Sequence, residues 1–313
     1  IQIKFLVEGE EESGSRNFES IVTRYRDRLT ADGCIWEGNQ IDHAGRPDIV
    51  FGAKGLAYVE LTCRGLADDQ HSARAVVAPS PTWRLIEALA TLRDPSGRVL
   101  IDGFYDDVIA PTDEDIAQLE ALPFDEDAER ERLGVDHFVG DVTGLEFKKR
   151  YFYEPTCNVA GIVSGFIVPG LSKTVLPKEA MAKIDMRLVP DQDPHDIVEK
   201  LRAHLDRRGF DDIEMQSFSM EHPVRSPSDS LVGRAVVDAA RDVFGEPIVL
   251  APMMIGTGPM HPIAHGLGIP TVSPAGVHRP DSNIHAPNEK ARIADFLKVI
   301  EYTVAYIERF ATQ

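Results

Sequence analysis

The run Lys183-Ile-Asp-Met-Arg-Leu-Val-Pro190 alternates apolar with charged residues and closes on a proline. A period of two is that of a β-strand with one face on a core and the other on solvent. Upstream, Gly161-Ile-Val163, Phe166-Ile-Val168 and Thr174-Val-Leu176 are short apolar runs parted by glycine and proline, which read as strands joined by turns. Downstream, Asp193 to Arg208 has helical spacing and Ile213 to Phe218 reads as one more strand. Strand, strand, helix, strand is the pattern of a small sheet with helices on one side.

On either side of this unit the pattern changes. Glu221-His-Pro-Val-Arg-Ser-Pro-Ser-Asp229 is rich in proline and serine and reads as a crossing to another domain. Beyond it, Leu231 to Val243 is helical, Pro247 to Leu250 a strand and Ala291 to Phe310 a terminal helix. At the other end, Ile1-Gln-Ile-Lys-Phe-Leu-Val7 reads as a buried strand already under way at the first residue, so the sequence is expected to be part of a longer enzyme. Ser15 or Asn17 caps a helix through Phe18, Ile21, Val22, Tyr25 and Leu29, ended by Asp32-Gly33. Ile49 to Phe51 and Leu56 to Leu61 are strands, Arg64 to Val77 a polar loop and Pro81 to Leu92 a helix. Thr112 to Arg132 is dense in Asp and Glu and reads as a solvated helical excursion.

At 313 residues the chain is long enough for two domains. Its 33 Lys and Arg against 51 Asp and Glu give a net charge of −18, which repels phosphate backbones and anionic lipid, so neither nucleic acid nor membrane is an expected partner. No apolar stretch approaches the ~18 residues of a membrane span. Cys34, Cys63 and Cys157 are odd in number and far apart, which argues for a reducing, cytoplasmic setting rather than a disulfide framework.

Chemistry concentrates in Glu8-Gly-Glu-Glu-Glu-Ser-Gly-Ser15, four carboxylates within five positions before a helix start. Like charges this close raise one another's pKa unless something positive intervenes. Two readings follow: an exposed acidic loop favoured by a helix N-terminus, or ligands to a divalent cation with one adjacent Glu left free as a base. His285, in Pro280-Asp-Ser-Asn-Ile-His-Ala-Pro-Asn-Glu289, is a loop histidine placed either to ligate metal or to hydrogen-bond its own loop. Ile255-Gly-Thr-Gly-Pro259 is a turn whose N–H groups can face an anion, without the Lys of a phosphate loop. His261 and His265 stand four apart, but Pro262 and Gly266 interrupt them, and they read as structural; His43, His195 and His222 carry no signal of their own.

Taken in order, Glu-Gly-x-Glu-Glu-Ser-Gly-Ser, Asp185-x-Arg-Leu-Val-Pro190, Gly256-Thr-Gly-Pro259 and His285-Ala-Pro-Asn-Glu289 resemble the co-catalytic zinc metallopeptidases, a family that includes carnosine dipeptidases, glutamate carboxypeptidases, succinyl-diaminopimelate desuccinylases and aminoacylases. The resemblance runs from Ile3 to the last helix and is strongest to the dipeptidase branch. It implies an α/β catalytic domain, residues 1–57 and 221–313, with a mixed sheet and helices on both faces. Into it is inserted an α+β, ferredoxin-like lid or dimerisation domain, residues 58–220. It implies that Glu11 is the general base, Glu12 and His285 share one zinc, and Glu37 binds a second, with cobalt or manganese as alternatives. Arg187 matches the residue that binds the substrate carboxylate, Asn158, Thr257 and Gly258 other substrate contacts, and His71 a histidine that reaches into the partner subunit's site to support the oxyanion.

Two departures from the family stand out. Ala73-Arg-Ala-Val-Val77 replaces a glycine-rich continuation after His71-Ser72, and the family's remaining ligands, a His and a bridging Asp, lie upstream of the paired glutamates and have no counterpart in the 313 residues. The expected function is hydrolysis of an amide bond in a dipeptide or N-acyl amino acid by a homodimer paired through the inserted domain. The alternatives are an N-acyl-amino-acid deacylase or desuccinylase, and a non-catalytic dimerising module.

Overall fold

The computed structural model describes residues 1–245 and 247–313. A 3₁₀ turn at Glu11–Ser13 leads into helices α1 (Phe18–Arg24) and α2 (Arg26–Leu29), then strands β1 (Cys34–Ile35), β2 (Asn39–Gln40), β3 (Asp48–Val50), β4 (Gly52–Ala53) and the long β5 (Gly55–Arg64). Next come β6 (Gln70–His71), α3 (Pro81–Leu89), α4 (Asp113–Ala121), α5 (Glu126–Leu133), α6 (Gly144–Tyr153), β7 (Asn158–Ser164), β8 (Val175–Leu176) and β9 (Glu179–Leu188). The chain continues through α7 (Pro194–Arg207), β10 (Glu214–Glu221), β11 (Val224–Arg225), α8 (Leu231–Phe244), β12 (Val249–Ala251), α9 (His261–Ala264), β13 (Thr271–Val272), β14 (Ala275–His278) and α10 (Ile293–Thr312).

The alternation at 183–190 is realised in β9, the second of two inner strands in a four-stranded antiparallel sheet of order β10-β5-β9-β7. With α3 after β5 and α7 after β9, this is a ferredoxin-like unit. Ala180, Ala182, Ile184, Met186 and Leu188 turn inward with Ala57, Val59 and Leu61 of β5, against Leu85 and Ala88 of α3 and Ile197, Leu201 and Leu205 of α7. Lys183, Asp185 and Arg187 consequently share the opposite face. Both helices start on a proline behind a capping side chain: Ser80 accepts from the Trp83 N–H, and Asp193 from the His195 N–H at 2.7 Å. Strand β7 pairs on one side only and leaves Val159, Ile162 and Val163 exposed.

The second body is made of short, long-range pairings. β3–β12, β1–β13 and β2–β14 are parallel, β4–β11 is antiparallel, and an antiparallel bridge joins Val50 to Ser273, so the pairing in this body is mixed. Helices α8 and α10 pack Val236, Ala239, Ala240 and Tyr302 on Ile41, Ile49, Phe51 and Val272. On the other side α1 and α9 bury Phe18, Val22 and Ile263 around Cys34 and Trp36.

Several expectations are corrected. Ile1 to Val7 forms no strand; Phe5 and Val7 are 86% and 85% exposed, and only Leu6 packs, beside Phe18 and Val22. A strand needs a neighbour for its backbone hydrogen bonds, and no described strand runs beside this segment. Phe166 to Val168 also leaves the ladder, because Gly165 in the left-handed region (φ 62°) turns the chain away from β9 after Ser164. The helix from residue 18 breaks at Tyr25 into α1 and α2. Within Arg64 to Val77 lie β6 and a 3₁₀ turn, Ser72–Val76. The acidic excursion is not simply solvated: Leu119 and Leu122 are buried against Val50 and Ala251, and Asp115 is buried in an ion pair with Arg225. Its few apolar residues are spaced for one face, which a count of charges conceals.

Candidate active site

Glu11 and Glu12 lie in the 3₁₀ turn rather than at a strand end. The turn is sharp because Gly14 (φ 90°) and Ser15 (φ 44°) are both left-handed. Folding back in this way lets the Ser15 hydroxyl donate to Glu8 Oε1 at 2.6 Å and Asn17 Nδ2 donate to Glu10 Oε2 at 2.9 Å. Two of the four carboxylates are thus tied down locally, and Glu12 meets His285 instead, with Oε1 3.1 Å from Nε2.

His285 comes to that position through a loop closed on itself. The Lys290 N–H donates to the Ser282 carbonyl at 3.0 Å, and the Ala286 N–H to the Asn283 carbonyl at 3.0 Å. The hydroxyl of buried Ser282 accepts from the Arg279 N–H at 2.9 Å, while Arg279 is itself paired with Asp295 of α10. Asn283 and His285 are left-handed, φ 56° and 60°, a conformation that non-glycine residues hold only where the surroundings enforce it.

Burial, then the charges of Glu37, Glu12 and Glu8, push the Glu11 carboxyl above the usual range, with His285 opposing. A carboxylate so shifted accepts a proton more readily near neutrality, which is what a general base requires. Glu37 follows β1; its carbonyl accepts from the Ser273 hydroxyl, and Gly38 lies so close to Gly276 that an added Cβ would stand 2.7 Å from the Gly276 Cα. The loop therefore holds Glu37 electrostatically near Glu11, and among the described residues its carboxylate makes no ion pair with His285. Among the described residues no three carboxylate, imidazole or thiolate side chains converge on one point. A carboxylate facing an imidazole suits a borderline cation in kind, so Glu12 and His285 fit part of a metal site, short of the three protein ligands that zinc usually takes.

A second constellation joins the two bodies. Arg187 Nη1, on the solvent-side face of β9, donates to Thr257 Oγ1 at 2.6 Å, and Thr257 Oγ1 in turn lies 3.3 Å from the Gly55 carbonyl. Gly258 follows beside the Trp36 indole. Lys54 was not singled out in the sequence, although a lone lysine in Ile49-Val-Phe-Gly-Ala-Lys-Gly-Leu-Ala57 was the available signal. It is buried at the crossing between the bodies; its N–H reaches the Gly256 carbonyl at 3.0 Å and its ammonium the Glu154 carbonyl at 2.8 Å. Burial brings its pKa down to about 8, with Glu154 opposing and Arg187 reinforcing.

The other two expected residues stand apart. Asn158 Nδ2 donates to Asp185 Oδ2 at 2.8 Å on the outer strand, and His71 Nδ1 accepts from the Ala73 N–H at 3.1 Å, next to the β6–β8 pair. Among the described residues neither is bonded to Glu11, Glu12, Glu37 or His285.

Residues 51–212 match the peptidase dimerisation domain of M20 proteins. The chain belongs to the M20 peptidase family. It is 31% identical to the Beta-Ala-His dipeptidase of Homo sapiens across 84% of its own length and 52% of that protein's, and 24% identical to the Cys-Gly metallodipeptidase dug1 of Schizosaccharomyces pombe across 100% and 67%. The chain thus spans about half of the human M20 relative. Among solved structures, the M20 metallo-carboxypeptidase Sso-CP2 of Sulfolobus solfataricus superposes with a TM-score of 0.92 at 38% identity, over 98% of this chain and 70% of that one. Human carnosine dipeptidase 1 superposes with a TM-score of 0.79 at 26% identity, over 98% and 66%. Among the described residues of this M20 chain, no helix is long and apolar enough to cross a membrane.

Proposed function

We propose that the protein is a metal-dependent hydrolase that cleaves the amide bond of a dipeptide or N-acyl amino acid with a free carboxylate. The observation that carries this is the meeting of Glu12 and His285, 273 residues apart in sequence, at 3.1 Å, with Glu11 adjoining. The dipeptidase names of the relatives favour a dipeptide over an N-acyl substrate. Zinc, two per subunit with Glu37 on the second, is the reading of the ligands; cobalt and manganese are its alternatives. A bound cation of this kind lowers the pKa of water and polarises a carbonyl.

In this reading Glu11 takes the proton of the attacking water and returns it to the leaving amine, for which its raised carboxyl is suited. The Arg187 guanidinium, oriented by Thr257, receives the substrate carboxylate beside Gly258, and Asn158 is a second polar group for the oxyanion. His71, which has no partner in the Glu12–His285 site of its own subunit, supports the oxyanion in a second subunit. The subunits pair through the exposed β7 edge of the lid, the lid being residues 58–220 and the catalytic body 1–57 and 221–313. Such an interface is isologous and closes as a two-fold dimer.

The test is turnover of the zinc-, cobalt- or manganese-loaded protein on a panel of dipeptides with free or amidated C-termini. Free carboxylates are expected to be preferred, and Glu11→Gln to lower kcat about 10²–10⁴-fold. Undiminished turnover in Glu11→Gln would remove the assigned base, and a monomer in sedimentation at micromolar concentration would remove His71 from the site.

A further inference from the structure

Lys54 is a buried cation to which the hydrolytic reading assigns no task. It stands between β4 and β5, 4% exposed, and its ammonium donates at 2.8 Å to the carbonyl of Glu154, the residue that ends α6. Past Pro155, Thr156 holds the main chain of Arg187 on both sides. The Thr156 N–H donates to the Arg187 carbonyl at 2.9 Å, and the Arg187 N–H donates to Thr156 Oγ1 at 3.1 Å. The Arg187 guanidinium then reaches Thr257 Oγ1 at 2.6 Å, and the Lys54 N–H reaches the neighbouring Gly256 carbonyl at 3.0 Å. These bonds form a ring that leaves Lys54 through its side chain and returns to it through its main chain, with Arg187 on the far side.

A closed ring fixes the arginine at both ends. Thr156 sets its main chain and Thr257 its guanidinium, so the remaining donors are aimed before any ligand arrives, which lowers the cost of binding one. A lysine suits the place, because the last carbonyls of a helix favour a cation and a buried acceptor left without its donor is costly. The charges around it are one-sided. Burial brings Lys54 down to about 8, with Glu154 opposing and Arg187 reinforcing. The Glu154 carboxylate is half-exposed and shared with Arg150. Residues 254–257 carry no titratable side chain, and Arg225, on the strand paired with β4, is engaged by Asp115. Among the described residues neither Lys54 nor Arg187 has a carboxylate within ion-pair distance. Two like charges held together in this way favour the arrival of an anion.

We propose that Lys54 is a positioning residue for the substrate carboxylate, its ammonium closing the ring that aims Arg187. This role rests on the reading of Arg187 as the receptor of that carboxylate. Once deprotonated, Lys54 holds the end of α6 more weakly and adds no positive field at Arg187. Carboxylate affinity is therefore complete below the pKa of Lys54 and is lost as pH rises through it. The proton and the carboxylate are linked, each strengthening the binding of the other.

The probes are pentanoate and pentanamide, which differ only at the carboxylate and contain no peptide bond to cleave. Their dissociation constants on the 313-residue chain are measured by NMR titration from about pH 7 to about pH 9.5, a range in which neither probe titrates. The wild-type protein is expected to prefer pentanoate at pH 7 and to lose about tenfold of that preference as pH rises through about 8. Lys54→Met, which keeps the apolar stem, is expected to show the reduced preference already at pH 7 and no further change. A wild-type preference that is flat across the range overturns the proposal, and decides the matter even where Lys54→Met does not fold. So does a Lys54→Met protein with the wild-type preference at pH 7. Either result leaves Arg187 as the carboxylate receptor, whereas a wild-type protein with no preference at any pH removes that reading and the role of Lys54 together.

Discussion

The lid sheet and the catalytic body are built from the same residue types by opposite means. In the lid, β5 and β9 are ten-residue strands that pair along their whole length from Gly55↔Leu188 to Arg64↔Glu179. Every second residue enters a core shared with two well-capped helices. In the body the longest pairings run over three residues, β3 with β12, and most over two. Partners there are some two hundred residues apart, as Asp48 is from Val249. A long ladder supplies its own register, because a one-residue slip would turn the whole apolar set outward. Two-residue pairs supply none, and their register comes from helices and loops around them. The rigid unit is therefore the one that presents Arg187, and the site itself is assembled on the body that depends on distant closure.

That contrast can be broken by giving both regions the same injury. Ile184 and Ile49 are both fully buried, and truncating either to alanine is expected to cost about 2–5 kcal/mol in urea unfolding. Ile184→Ala should fall at the upper end, since both neighbouring strands hold the cavity open, and Ile49→Ala at the lower. Equal losses would mean that ladder length does not set rigidity here. A smaller effect is expected where the two regions touch: Arg187→Lys keeps charge but loses the planar fork on Thr257. It should raise KM enough to lower kcat/KM by about 1.5–3 kcal/mol, or roughly ten- to a hundredfold. A fall in kcat alone would deny Arg187 a role in binding.

The smallest effect concerns a buried acid in the body. Burial pushes Asp48 up to about 6, with Gln40 opposing, Asp42 reinforcing and Asn39 opposing, and among the described residues its Oδ1 has no hydrogen-bond partner. Between about pH 4 and 6 the folded state thus binds more protons than the unfolded state, so stability falls as pH rises through that window and the penalty is complete above it. Asp48→Asn should flatten the dependence and stabilise the protein at neutral pH by on the order of 1 kcal/mol. Unfolding midpoints that keep the wild-type slope between pH 4 and 6 would show that another group titrates.

Much of the lid was legible from residues alone. The period-two runs at Leu56 to Leu61 and Lys183 to Val189, the proline-led helices after Ser80 and Asp193 and the turn glycines all act within a few residues of themselves. Where local pattern failed, a missing or unforeseen neighbour was the reason. Ile1 to Val7 has the composition of a strand but, among the described residues, no strand beside it, Phe166 to Val168 is turned out of the ladder by Gly165, and Leu119 and Leu122 lie hidden in an acidic run until Val50 and Ala251 close over them. Lys54 passed unnoticed because burial, which makes it unusual, is a property of the surroundings.

The sequence by itself determined the ferredoxin-like unit, the acidic turn and the types of residue available to bind a cation or a carboxylate, since periodicity, capping and side-chain chemistry are carried by the residues themselves. Only the tertiary structure decided that Glu12 meets His285 and that Arg187 reaches Thr257. Each of these contacts joins segments separated by tens to hundreds of residues. Their proximity is set by loop closure and by the packing of helices on the two sheets, on which spacing along the chain has no hold.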